Sequence, residues 1–179
     1  MIEITYFVHG TTTDNSEHKA TGWLPGELSD KGIIQGIELA KTIKNDFFDV
    51  AFCSDLKRAV ESAKLNFYNR DIEIIKDERI REGNYGDYCG QDSKLVDYDT
   101  HIDKNFPNGE SLKDVEKRVH SFVEFLKQNY DGKKVAVVAH RAPQLALEVI
   151  TKGKTWEQAL AEDWRKTKSW QPGWKYIIR

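Results

Sequence analysis

The chain has 179 residues, enough for one sizeable core and too few for two ordinary domains with a linker, so a single domain over residues 1–179 is expected. Hydrophobic residues make up 39% and charged residues 31%, a globular balance that excludes a disordered or fibrous chain. The 29 acidic residues outnumber the 27 basic ones and the bases are scattered, so neither nucleic acid nor an anionic membrane is an expected partner.

The opening run Met1 to Val8 has no basic start, and no stretch approaches the ~20 apolar residues needed to span a bilayer. A cytoplasmic location is expected. Cys53 and Cys89 are the only thiols, with no second pair to form a CxxC zinc site, so both are expected reduced and without a catalytic role.

In chain order, Ile2-Glu3-Ile4-Thr5-Tyr6-Phe7-Val8 is β-rich and stops at His9-Gly10, which places His9 at the C-terminal end of a buried strand. Ser29 is a plausible N-cap for a helix carrying Ile33, Ile34, Ile37, Leu39, Ala40 and Ile43, to about Lys44. Val50-Ala51-Phe52-Cys53 reads as a second strand, Ser54-Asp55 as a cap, and Leu56 to Phe67 as a helix. Ile72 to Ile75 makes a third strand. The charged, Gly-rich stretch Asp77 to Asp92 has no period and reads as a working loop.

From Ser111, the spacing of Leu112, Val115, Val119, Phe122, Val123 and Leu126 predicts an amphipathic helix closed near Gly132. Lys134 to Ala139 is the clearest central strand, and Pro143 suits the first turn of the helix that follows His140 and runs to Val149 or Ile150. A short helix over Trp156 to Leu160 and a closing edge strand over Trp174 to Ile178 complete the pattern.

Strands alternating with helices predict an α/β fold, a three-layer sandwich with a mainly parallel central sheet between helices. Ligands bind such sheets at the carboxyl ends of the strands. Three of those ends carry His9-Gly10, Ser54-Asp55 with Arg58 one turn on, and His140-Arg141. Two histidines and two arginines at one edge suit phosphoryl chemistry. A neutral imidazole is a good nucleophile for phosphorus, guanidinium forks match the oxygens, and a nearby carboxyl can protonate the leaving group. His9 is the candidate nucleophile, Arg58, Arg141 and His140 the candidate phosphate contacts, and Glu82 the candidate acid.

These residues resemble the histidine phosphatase superfamily, which includes the cofactor-dependent phosphoglycerate mutases. Val8-His9-Gly10-Thr11-Thr12-Thr13-Asp14-Asn15 is similar to its opening signature, with the first arginine absent. Leu28-Ser29-Asp30-Lys31-Gly32-Ile33-Ile34-Gln35, Ser54-Asp55-Leu56-Lys57-Arg58-Ala59, Arg81-Glu82-Gly83-Asn84-Tyr85-Gly86-Asp87, Pro107-Asn108-Gly109-Glu110-Ser111 and His140 resemble further family segments in order, covering roughly residues 1–150. The resemblance implies a phosphoglycerate mutase-like fold and catalytic roles for His9, Glu82 and His140. It implies a phosphate site built from Arg58, Asn15, Gly10, Thr21 and Gly22, with Arg141 added by the strand-end argument, and it calls for neither a metal nor a cofactor.

Two departures stand out: Val8 where the family has arginine, and Arg141 where it usually has glycine. We expect Arg141 to supply the guanidinium that Val8 cannot. Thr21-Gly22-Trp23 resembles the mutase form of its loop, whereas the short chain and the compact Glu82 region resemble the phosphatase form. The expected function is therefore a metal-independent phosphomonoesterase acting through phosphohistidine on a small phosphorylated metabolite. The alternatives are a phosphosugar or phosphoglycerate mutase and a phospholigand-binding relative weakened by Val8. A homodimer through an edge strand or an apolar helix face is left open. His18, His101 and His120 read as surface residues, and Trp156, Trp164, Trp170 and Trp174 as C-terminal packing; a tryptophan near the site would favour an apolar or aromatic leaving group.

Overall fold

A computed structural model describes Met1–Arg179 in full. Five strands form one sheet: β1 (Ile2–Val8), β2 (Val50–Cys53), β3 (Ile74–Lys76), β4 (Lys134–Ala139) and β5 (Trp174–Ile178). Their spatial order is β3-β2-β4-β1-β5, with every pair parallel except the antiparallel pairing of β5 on β1. The fold is the predicted α/β architecture with a mostly parallel sheet between helices.

The helices are α1 (Thr13–Ser16), α2 (Asp30–Thr42), α3 (Lys57–Asn66), α4 (Leu112–Asn129), α5 (Arg141–Lys152), α6 (Trp156–Ala161) and α7 (Trp164–Thr167). The two-residue alternation of the strands divides the core. On one face Ile2, Ile4, Tyr6, Phe52, Val135 and Val137 pack against α4, α5 and α6 through Phe122, Leu126, Leu147 and Trp156. On the other, Phe7, Ala51, Cys53, Ala136 and Val138 meet Ile43, Phe48, Ala63 and Phe67. Each large apolar side chain buried in this way contributes roughly 1.5–3 kcal/mol. No helix is long and apolar enough to cross a membrane, and both cysteines are free.

Capping residues position the helices as their sequences suggest. The Ser29 hydroxyl accepts the Gly32 N–H at 3.2 Å, and Ser111 with Asp114 forms a reciprocal capping box at the start of α4. The segment after β2 differs from expectation. The N-cap of α3 is Leu56, whose own side chain caps nothing; Ser54 Oγ accepts only the Leu56 N–H at 3.3 Å, and Asp55 is drawn off into a salt bridge with Arg81. The third strand starts at Ile74, two residues later than predicted, and α5 extends to Lys152, where Gly153 caps it in a left-handed conformation.

Candidate active site

Register alone brings the two histidines together. Val8 pairs with Ala139 across the parallel β1 and β4, so His9 and His140 leave adjacent strands at the same level, and the His9 N–H still donates to Ala139 O at 3.1 Å. Their ring centroids lie 5.0 Å apart. His9 opens onto a cavity of about 820 Å³ whose lining includes Arg58, Glu82, Arg141 and Arg165, whereas His140 is buried behind His9.

His9 Nδ1 lies 2.8 Å from the Gly10 carbonyl oxygen. A carbonyl can only accept, so Nδ1 carries the proton and Nε2 is the unprotonated, nucleophilic nitrogen. Burial first, and then the Arg58 charge, pull the His9 pKa down to about 4, which keeps the ring neutral at physiological pH. His140 is fully buried, and burial followed by the Arg58 charge also holds its pKa far below the ordinary value. Neither ring nitrogen of His140 has a hydrogen-bond partner. Its backbone is fixed instead: the Tyr6 hydroxyl donates to His140 O at 2.7 Å and accepts from His140 N at 3.0 Å. A buried imidazole of this kind has an N–H to offer an incoming oxyanion.

Gly10 is required by close approach. A Cβ there would sit 2.6 Å from Gly32 O, and one on Gly32 would sit 2.1 Å from Thr11 O, so the His9 loop rests directly on the first turn of α2. The loop is also held by the Thr11 N–H, which donates to Gln35 Oε1 at 2.9 Å.

Arg58 is 2% exposed, and burial lowers its pKa from the ordinary arginine value. Nη2 donates to Gly22 O at 2.8 Å and Nη1 to Leu24 O at 3.0 Å, which anchors the guanidinium in the loop before α2. Asn15 lines the cavity and spends Oδ1 on the Thr12 N–H, so its amide Nδ2 is the end available to a ligand. Thr21 and Gly22 line the cavity too, but the Thr21 hydroxyl is committed to Asp14 Oδ2 at 2.8 Å and the Gly22 carbonyl to Arg58.

Glu82 is 7% exposed and sits at the N-terminus of α5. Its Oε1 accepts from Gly83 N at 3.0 Å, Ala142 N at 2.9 Å and the Tyr98 hydroxyl at 3.4 Å, whereas Oε2 accepts only from Arg141 N at 3.2 Å. Oε2 is the oxygen with room for a proton. The competing acids of the loop are engaged or remote: Asp77 pairs with Arg79, Asp87 takes the Asn108 amide, and Glu78 is exposed.

Several residues that position this site carry no signal in the sequence. Arg118, on α4, donates to the carbonyls of Arg79 at 2.8 Å, Arg81 at 2.7 Å and Glu82 at 2.8 Å while pairing with Glu110 at 2.9 Å. Glu110 in turn accepts the Asn84 N–H at 2.9 Å, so one ion pair clamps the backbone on both sides of Glu82. Trp23 Nε1 adds a bond to Glu82 O at 2.7 Å.

The C-terminal segment departs from its reading as packing alone. Trp156 and Trp174 are buried as expected, but Trp164 and the exposed Trp170 line the cavity, with Trp164 stacked on Trp174 at 5.2 Å. Arg141 lines the cavity as well, yet its Nε donates to Asp163 Oδ2 at 2.7 Å and its guanidinium lies 4.4 Å over the Tyr98 ring. Of the histidines read as surface, His18 and His120 are exposed, whereas His101 is half-buried and stacks on Phe106 at 3.9 Å. No group of three or more His, Cys, Asp or Glu side chains is arranged to hold a metal.

The sheet order, the two strand-end histidines and the flanking helices define an α/β protein of the phosphoglycerate mutase-like type. The chain belongs to the histidine phosphatase superfamily, branch 1, whose family model matches residues 6–161. Enzymes of this superfamily are phosphatases and mutases acting on small phosphorylated substrates. The chain is 32% identical over 171 residues to a 2,3-bisphosphoglycerate-dependent phosphoglycerate mutase of Allorhizobium ampelinum, covering 86% of this chain and 81% of the relative. It is 28% identical over 157 residues to phosphoserine phosphatase 1 of Hydrogenobacter thermophilus, covering 82% and 74%. Among solved structures, a mycobacterial glucosyl-3-phosphoglycerate phosphatase in complex with VO3 superposes with a TM-score of 0.78 at 25% identity, over 89% of this chain and 86% of that one.

Proposed function

We propose that the protein is a metal-independent phosphomonoesterase that works through a phosphohistidine on His9. The observation that carries this reading is the neutral His9, locked by Gly10 O with Nε2 unprotonated, in one cavity with Arg58 and Glu82.

In the first step His9 Nε2 attacks phosphorus and the bond to the ester oxygen breaks, while a proton from Glu82 Oε2 passes to the leaving oxygen. A phosphoryl dianion beside a carboxyl favours its protonated form, which suits Glu82 to this task. Arg58, Asn15 Nδ2 and the His140 ring meet the oxygens as charge spreads over them. In the second step Glu82 takes a proton from water, the water oxygen bonds to phosphorus, and the bond to Nε2 breaks, which regenerates the free imidazole. His9 is half-buried at the cavity wall, so water has access to the intermediate.

The mutase reading is kept alive by the relative from Allorhizobium ampelinum. A mutase would return the phosphoryl group to substrate and would need an activating bisphosphate. Phosphate release from p-nitrophenyl phosphate in EDTA, with and without 2,3-bisphosphoglycerate, separates the two. Release from the native chain that is lost in His9→Ala and indifferent to bisphosphate is the expected result. No release without bisphosphate would move the assignment to the mutase.

A further inference from the structure

A transferring phosphoryl group spreads negative charge over three oxygens, and Arg58, held by two loop carbonyls, is one guanidinium. The residue before His9 is Val8, which lines the cavity and brings no charge to it. Two further cations line the same cavity, Arg141 and Arg165. Both are attached to the carboxylate of Asp163, whose side chain is fully buried: Arg141 Nε reaches Oδ2 at 2.7 Å and Arg165 Nη1 reaches Oδ1 at 3.1 Å. One buried anion between two arginines leaves a net positive charge at this wall.

The two arginines face different neighbours. Arg141 lies 4.4 Å over the Tyr98 ring, beside Glu82. Arg165 lies 4.2 Å over the Trp164 ring, with Nη1 shared between Asp163 and Gln144 Oε1 at 3.4 Å. Its Nε and Nη2 make no hydrogen bond within the protein. Arg141 Nη1 and Nη2 make no hydrogen bond within the protein either, but that guanidinium lies over Tyr98, whose hydroxyl donates to Glu82 Oε1 at 3.4 Å. Arg165 is therefore the cavity-lining arginine that is not laid against the Glu82–Tyr98 pair.

We infer that Arg165, held by Asp163 and the face of Trp164, supplies the second guanidinium to the phosphoryl oxygens, standing in for a cation at position 8. Asp163 is then a positioning residue, and Arg141 serves to orient Asp163 and the Glu82 loop. The inference rests on the phosphohistidine reading above, and the following test separates the two.

The kcat/KM for p-nitrophenyl phosphate and the affinity for inorganic phosphate are measured for the native chain, Arg165→Ala, Arg141→Ala, Val8→Arg and the double variant Val8→Arg/Arg165→Ala, with thermal melting to monitor folding. Arg165→Ala should lose about a hundredfold or more in kcat/KM, as loss of one oxyanion donor does, and Arg141→Ala less. Phosphate affinity should fall in step. A purely structural role for Arg165 gives no reason for a charge on β1 to repair it, so recovery of about tenfold in the double variant is the diagnostic result. Arg165→Ala with native kcat/KM and phosphate affinity, or a loss that Val8→Arg leaves wholly unrepaired, would overturn the inference. A native chain that releases no phosphate yet binds it through Arg165 would overturn the phosphatase reading and keep the assignment of Arg165.

Discussion

The Glu82 carboxylate accepts the Ala142 backbone N–H at 2.9 Å, so the first turn of α5 is spent on an acid of the protein rather than held open for a ligand. His140 is the N-cap of the same helix, and one rigid element therefore sets the distance between the carboxyl and His140. That arrangement fixes Glu82 Oε1 and leaves Oε2 to exchange protons.

Glu82→Gln keeps the side chain's shape and removes its proton chemistry. For an alkyl phosphate, whose leaving alkoxide must be protonated, kcat should fall about a hundred- to ten-thousandfold. For p-nitrophenyl phosphate, whose phenolate departs readily, the fall should be clearly smaller. Steady-state kinetics on the two substrates provide the check; equal losses would remove the general-acid role.

The low pKa of His9 makes a prediction about pH. An ordinary histidine titrates near 6.5, so between pH 6.5 and about 4 the unfolded chain binds protons that the folded chain refuses. The stability contributed by neutral His9 is thus complete above pH 6.5 and is lost as pH falls toward 4, with His140 acting in the same direction. An NMR titration of labelled imidazoles should show His9 unprotonated at pH 5.5. Urea unfolding of His9→Ala should lose less stability than the native chain between pH 7 and 5.

Arg118 supports the site from outside it. Arg118→Ala leaves Glu110 and three loop carbonyls without their partner, a half-buried cluster whose loss should cost about 3 kcal/mol in urea unfolding. Because the bonds it makes hold the backbone at Glu82, kcat should fall as well while KM changes little. Arg118→Lys, which restores charge without the fork, should recover only part of either quantity.

Gly10→Ala tests the seating of His9. The added methyl would meet the backbone of Gly32, which cannot swing aside as a side chain could. A displacement of His9 by an ångström can cost about a hundredfold in rate. Kinetics should show that loss, and the melting temperature should fall with it, because relieving the clash needs a backbone shift.

Much of this was legible in the sequence because it rests on backbone periodicity. The apolar runs Ile2 to Val8 and Lys134 to Ala139 required two buried strands, and their ends required His9 and His140 to share an edge. The cap at Ser29 and the box at Ser111 were readable because their partners lie three residues away. The remainder depends on where side chains go after the chain has crossed the sheet. Nothing near Arg118 reveals that it reaches three carbonyls of a distant loop. Asp55 resembles a cap until Arg81 takes it. Trp164, Trp170 and Arg165 reach the cavity only because β5 returns antiparallel beside β1 and carries the preceding segment past the mouth of the site. Arg141 sits beside His140 in sequence, yet its side chain is engaged by Asp163 and the Tyr98 ring, which nothing local reveals.

The central claim is a covalent phosphohistidine on His9, and trapping it is the most direct test. The native chain is mixed with excess p-nitrophenyl phosphate, quenched in alkali within the first turnovers, digested and read by mass spectrometry. The account predicts a phosphoryl group on the peptide containing His9, stable in alkali, lost on acid treatment and absent from His9→Ala. Steady release of phosphate with no phosphoryl group on His9, and unimpaired turnover in His9→Ala, would contradict it.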